Sequence, residues 1–252
     1  FKGSRLQSFI VACIFTYHRL RKSFYKEIDR YICLNENQIQ LLKEIGFDEN
    51  KIVKKYNFVP DANVVSINTE ALNLPDRYVV FYGRIGEEKG IRDLMKIWDL
   101  ISDIPLVVMG AGPMEDEFSV WANSKANVYF LGYTQYDKCL QIVRNSEFVV
   151  FPSIWYEGCS MVEIESESLG KPLIATDLGF SEEAIINGNN GFKVKLNDID
   201  EFAKVIVNLW NNPELYKQLG KNAREDYEKK YQPEDNYNQL ITIYRSLVEG
   251  GD

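Results

Sequence analysis

The sequence predicts an α/β protein: a parallel sheet with helices on both faces, preceded by a partial N-terminal domain. Three observations carry this. From residue 78 onward, short apolar runs alternate with amphipathic stretches of helical spacing. The runs are short and apolar, which in alternation with amphipathic helices implies a parallel sheet covered on both faces. The first 60 residues supply only a helix, a strand, a helix and a strand, too little for a complete domain. Bulk properties agree. A chain of 252 residues, 45% hydrophobic and 26% charged, is ordinary for a globular protein of one large or two small domains. The net charge of −8 argues against a bulk nucleic-acid binder. That charge is uneven: residues 1–30 carry +5, leaving −13 for the rest.

In order, residues 5–28 read as a helix with apolar and basic positions, and "YICL" (31–34) as a buried strand. Asn35 caps a helix that runs to Ile45 and stops at Gly46. "KIVKKYNFVP" (51–60) gives a strand and a turn, and 61–76 a linker. Strands follow at 78–83, 105–110, 127–132, 148–153, 172–176 and 191–195. Helices stand between them at 91–101, 114–123, 136–145, 161–169 and 181–186, with more after the last strand. The divisions expected are 1–68, 69–234 and a C-terminal helix at 235–252.

Ligands of such sheets bind beyond the carboxyl ends of the strands, so the loops there hold the candidates. "GRIGEEKG" (83–90) offers Gly83, Gly86 and Gly90 for close backbone approach, and Arg84 and Lys89 as charges for phosphate. It lacks the GK[ST] ending of a Walker loop. "GAGP" (110–113) falls short of a dinucleotide fingerprint because Pro113 ends the match. In "WYEGCSMVEIESESLGKP" (155–172), Ser160 is a natural N-cap and Gly170-Lys171-Pro172 a stop. On the helix wheel Glu165 falls inside the apolar arc, near Met161 and Leu169, whereas Glu163 and Glu167 fall opposite, on an expected solvated face. A carboxylate on a packed surface needs partners: a salt bridge, a cap or a ligand. Glu157 before an anion-binding helix start, and Glu165 after it, suit a ligand with phosphates in the middle and hydroxyls at both ends. A nucleotide sugar has that layout.

Other features take plainer readings. Cys13, Cys33, Cys139 and Cys159 form no CxxC pair and no zinc spacing, which fits a reducing, cytosolic compartment. His18, the single histidine, cannot build a metal site and reads as a solvated helix residue. "DID" (198–200) has the look of a metal-binding DxD, but Asp198 with Glu201 fits helix capping better. Trp155 and Tyr156 suit stacking on a ligand or packing beside the rim. "FIVACIF" (9–15) is too short to span a membrane; with its flanking Arg and Lys it suits an anionic surface or, more often, the rest of its own domain.

Taken together, "GRIGEEKG", "PLVVMGAGP", "NVYFLGY", "FVVFPSIWYEG", "EIESESLGKPLIATDLG" and "IINGNNG", in that order, resemble the donor-binding half of a family 4 glycosyltransferase with the GT-B fold. The likeness runs from about residue 29 to the C-terminus and is nearest to bacterial enzymes of capsular and lipopolysaccharide synthesis. It implies a Rossmann-like domain for nucleotide-sugar donors at 69–234 and the last elements of an acceptor domain, with linker, at 1–68. Glu157 and Glu165 match the EX7E pair. By that match Arg84 and Lys89 hold the donor diphosphate and stabilise the leaving group, Glu157 faces the donor sugar, and Glu165 grips the ribose. The amides of Cys159, Ser160 and Met161 lie near the sugar and distal phosphate; Gly83, Gly112, Gly132 and Tyr133 lie at the donor and its base. The implied activity is transfer of a hexose, with retention and without cofactor or metal, from a nucleotide-diphosphate sugar to a glycan or lipid-linked acceptor. The implied location is cytoplasmic, at the inner face of the membrane. The chain departs from the family at Cys159, commonly aromatic, at Ser160, commonly Gly or Pro, and in the missing bulk of the acceptor domain. Two alternatives share the same pocket: a non-catalytic nucleotide-sugar-binding subunit that needs a partner chain, and another GT-B enzyme such as an epimerase.

Overall fold

The computed structural model describes residues 4–62 and 73–249. Most of the linker expected at 61–76, and with it the expected boundary between 68 and 69, lies outside them. The chain forms two compact units: one up to Lys55 together with the segment from Gln239 onward, the other Tyr56–Asn238.

The first unit begins with α1 (Arg5–Arg21), whose N-cap Ser4 accepts from the amide of Gln7 at 3.3 Å. The single helix expected over 5–28 is broken at Lys22, which adopts the left-handed conformation at φ 54° before the short α2 (Ser23–Lys26). Its amide N–H caps the carbonyls of His18 and Arg19. A lysine carries no sequence mark for that role, which glycine usually fills. β1 (Tyr31–Cys33) and β2 (Ile52–Lys54) pair in parallel, Tyr31 opposite Ile52. Between them lies α3 (Glu36–Glu44), its N-cap Asn35 accepting from the amide of Gln38 at 2.8 Å. No residue of α1 is buried.

The second unit is a six-stranded, all-parallel sheet: β3 (Val79–Tyr82), β4 (Leu106–Met109), β5 (Val128–Phe130), β6 (Val149–Phe151), β7 (Leu173–Thr176) and β8 (Gly191–Val194). Their spatial order is β5-β4-β3-β6-β7-β8. The chain therefore winds outward from β3 through β4 to β5, then returns across the sheet to β6 and winds the other way. The reversal leaves a crevice beside the carboxyl ends of β3 and β6, the place where such sheets bind ligands. Every residue of β3, β4, β6 and β7 is buried. Their alternation divides the core. Val79 and Phe81 face one layer with α4 (Ile91–Asp99), α5 (Glu115–Asn123) and α9 (Ile199–Trp210). Val80 and Tyr82 face the other, with α6 (Tyr136–Asn145). At about 1.5–3 kcal/mol for each fully buried large apolar side chain, these two layers dominate the stability.

α7 (Met161–Ser168), α8 (Phe180–Ala184), α10 (Pro213–Lys230) and α11 (Pro233–Glu249) complete the helices. Here one expectation fails. Glu163 and Glu167 are not on a solvated face; they are 1% and 3% exposed. The reason is a second covering layer. α10 crosses α7 closely enough that a Cβ on Gly220 would collide with the carbonyl oxygen of Gly170. The Arg224 guanidinium donates to the Ser168 carbonyl and, through Nη1 and Nη2 at 2.7 Å each, to Asp61. Glu163 meets Ser181 of α8. Both arcs of α7 are thus roofed. Tyr56–Ala62, counted with the first domain and linker by sequence, belong to this unit: Tyr227 Oη donates to the Val59 carbonyl at 2.9 Å, and Ala62 is buried.

Candidate functional site

The loop 83–90 leaves β3 and turns twice. Gly83 (φ 143°) passes beneath Gly110 (φ 145°), where a Cβ on Gly110 would collide with the Gly83 carbonyl oxygen. The Ile85 amide donates to the Ala111 carbonyl at 3.0 Å, and the backbone of Ile85 leaves no room for a Cβ on Gly112. The two glycine loops therefore interlock by backbone. This gives Gly112 a structural reason beside the expected one, and it is Gly110 and Ala111 that line the adjoining cleft. Gly90 (φ 70°) lies so close to the Pro152 carbonyl that no side chain fits. That approach carries Lys89 to the end of β6.

There Lys89 Nζ meets Glu157 Oε1 at 2.5 Å and stands over the Phe151 ring, 5.4 Å from its centroid. Ser153 Oγ donates to the same carboxylate oxygen at 3.2 Å. The two members of the expected basic pair thus differ. Lys89 is half-buried and engaged; Arg84 is exposed and makes only a 3.5 Å contact with Glu88.

The cleft itself has a volume of about 380 Å³ and is lined by Tyr82, Gly83, Arg84, Gly110, Tyr133 and Tyr136, among others. Tyr133 is exposed, and Gly132 turns the chain into it at φ 64°. The phenol of Tyr136 donates to Glu165 Oε1 at 2.9 Å. Glu165 is 8% exposed, and burial raises its pKa, with the Tyr136 and Tyr82 phenols pulling the other way. It therefore stands one hydrogen bond behind the cleft wall. A larger groove of about 520 Å³, lined by Leu100, Ala203 and Val207 of the α4/α9 region, contains none of the expected residues.

α7 begins with Ser160 as N-cap, accepting from the Glu163 amide at 3.4 Å. Cys159 is buried, its carbonyl accepts from Asn57 Nδ2 at 3.4 Å, and burial pushes its thiol up to about 12. Met161 is partly exposed at the first turn. The sequence reading missed Ser153, Tyr136 and Ser181, which hold Glu157, Glu165 and Glu163. Tyr136 and Ser181 act across the fold, 29 and 18 residues from their partners, and Ser153, four residues before Glu157, belongs to no motif that marks it. His18, expected in solvent, is only partly exposed and packs on the Phe24 ring at 5.6 Å. Asp198 caps α9, accepting from the Glu201 amide at 3.1 Å, and among the described residues no His, Cys, Asp and Glu cluster suits a metal. All four cysteines are free.

The family described as Glycosyl transferases group 1 matches residues 66–226. An uncharacterized glycosyltransferase of Methanocaldococcus jannaschii is 31% identical over 227 residues, covering 88% of this chain and 60% of that protein. The capsular polysaccharide biosynthesis glycosyltransferase CapM of Staphylococcus aureus is 26% identical over 223 residues, covering 85% and 57%. Among solved structures, Anabaena HepE in complex with UDP and glucose shares the fold, with a TM-score of 0.76 at 18% identity over 86% of this chain and 63% of that one. The chain spans about 60% of the length of the curated relatives it matches.

Proposed function

Since the chain belongs to the glycosyl transferases of group 1, we propose that Tyr56–Asn238 holds a nucleotide-diphosphate sugar and that the whole protein passes its sugar to a glycan or lipid-linked acceptor in polysaccharide synthesis. The observation that carries this reading is the crevice beside β3 and β6, where the cleft wall, the Lys89–Glu157 pair and the start of α7 come from loops at the strand ends.

In this proposal the base lies by Gly132 and Tyr133, and Glu165 leaves its bond to Tyr136 for the ribose hydroxyls. The diphosphate lies towards the α7 amides, where the helix N-terminus favours negative charge. In the transfer, the bond between the sugar's C1 and the diphosphate oxygen breaks and the acceptor oxygen bonds to C1. The acceptor proton passes to the departing phosphate. Charge grows on that phosphate, and Lys89 and Arg84 stabilise it. Glu157, held by Lys89 and Ser153, faces the sugar. Retention, a hexose donor and independence of metal and cofactor belong to the same proposal, as does action at the inner face of the membrane. No helix among the described residues is long and apolar enough to cross a membrane. α1 presents Phe9, Ile14, Phe15 and Leu20 beside Arg5, Arg19 and Arg21, a mixture that suits an anionic surface or the rest of its own domain.

The test is nucleotide affinity by calorimetry in two variants. Lys89→Ala should weaken binding about 10- to 100-fold, as the loss of a charge-assisted phosphate contact does. Arg84→Ala, being exposed, should cost less and lose its effect in high salt. Unchanged affinity in both variants would remove the phosphates from this loop.

A further inference from the structure

Ser160 and Glu163 have the spacing of a capping box, in which the glutamate turns back to the N-cap amide. Only half of the box forms. Ser160 accepts from the Glu163 amide, but the Glu163 carboxyl reaches out to α8, where Oε1 accepts from Ser181 Oγ at 3.0 Å. The other oxygen, Oε2, is buried with no partner. A buried carboxyl so poorly supplied is costly when charged.

The place it ties down matters for Glu157. The Phe180 amide donates to the Glu157 carbonyl at 3.0 Å, and a Cβ on Gly179 would press on the Glu157 backbone at 2.8 and 2.9 Å. Glu157 therefore rests on the start of α8. Ser181, in the same turn, ties that start to α7 through Glu163, and residues 157–160 close the triangle. Building on the donor-site reading above, we infer that Glu163 is a positioning residue: by clamping the starts of α7 and α8 together it holds Glu157 and the α7 amides in place for the donor.

The surroundings of Glu163 agree with a carboxyl that stays neutral. Burial pushes it up to about 8; Glu157 adds to the shift, while Ser181, Lys89 and Ser160 oppose it. One turn on, Glu167 is also raised by burial, with Asp226 and Glu163 adding and Lys230 of α10 opposing. Tyr231 and the Cys159 thiol border the same interior and are themselves raised by burial. Ionised, Glu163 would put a negative charge behind an anion site and beside Glu157.

Three measurements on the full chain test this. Amide hydrogen exchange at Glu157–Met161 should quicken at least tenfold in Ser181→Ala, with β4 unchanged, and stay near wild type in Glu163→Gln; equal exchange in Ser181→Ala overturns the clamp. Carboxyl NMR should show a glutamate that titrates far above the exposed ones and is missing from Glu163→Gln, while the raised signal of Glu167 stays in both proteins; a Glu163 that titrates with the exposed ones overturns its neutrality. Affinity for whichever of UDP, GDP and ADP binds should fall severalfold or more between pH 7 and 9 in the wild type and stay flat in Glu163→Gln; parallel profiles overturn the link to the donor. Absence of nucleotide binding at any pH would count against the donor-site reading, and the exchange arm would still decide the clamp.

Discussion

Glu163 and Cys159 show what burial does to single groups in this site. Burial pushes the Glu163 carboxyl up to about 8, from an ordinary value of 4.5. The folded state thus holds its proton more tightly than the unfolded one. The associated stability is fully present below about pH 4.5 and is lost as pH rises to about 8. Glu163→Gln removes this dependence while keeping a hydrogen-bonding head. Its stability advantage over the wild type should grow by about 2–4 kcal/mol between pH 5 and 8, read from urea midpoints. A constant difference would mean that Glu163 ionises as an ordinary glutamate. Cys159 carries the opposite practical consequence. A thiol pushed up to about 12 and buried is a poor nucleophile. Iodoacetamide at pH 8 should label exposed Cys13 within minutes and leave Cys159 intact, as peptide mass spectrometry would show. Glu165 was legible at this scale because an acid inside an apolar arc is an anomaly in any helix. Its holder Tyr136 was not, because nothing in a local stretch says which phenol will cross 29 residues to meet it.

At the scale of elements, the alternation of apolar runs and amphipathic helices was enough to find all six strands of the large sheet, because β3, β4, β6 and β7 are buried throughout and the edge strands β5 and β8 are partly buried. Two elements were misread for physical reasons. The helix over 5–28 breaks at Lys22, whose left-handed backbone has no residue signature. α7 was read as half-solvated, because a helix wheel reports which side is apolar and not how many layers cover it; α8 and α10 roof the acidic side. Glycines separate the same way. Gly90 and Gly188 both have positive φ, but only at Gly90 does a Cβ meet backbone. Gly188→Ala should cost about 1–2 kcal/mol, the backbone strain alone. Gly90→Ala should cost more, with a shift of the 83–90 loop that also weakens nucleotide binding. Denaturation midpoints and calorimetry check both. Equal costs would mean that the Gly90–Pro152 approach relaxes freely.

For the whole molecule, the parallel sheet flanked by helices was legible in the sequence, and family membership rests on 66–226. What periodicity could not supply was the strand order, since non-local pairing leaves no mark in a single strand. That order, with β3 and β6 adjacent, puts loops from distant parts of the chain at one crevice: 83–90, 110–113, 132–136 and 153–160. By the proposed function this crevice is a nucleotide-sugar site with Glu165 at its ribose end. Calorimetric titration of UDP, GDP and ADP, then of their sugars, into the wild type and Glu165→Ala tests it most directly. One nucleotide should bind, and the variant should bind it at least tenfold more weakly, the cost of a lost charge-assisted hydrogen bond being about 1.5–3 kcal/mol. Equal affinity in the two proteins, or no binding of any nucleotide, would contradict this reading.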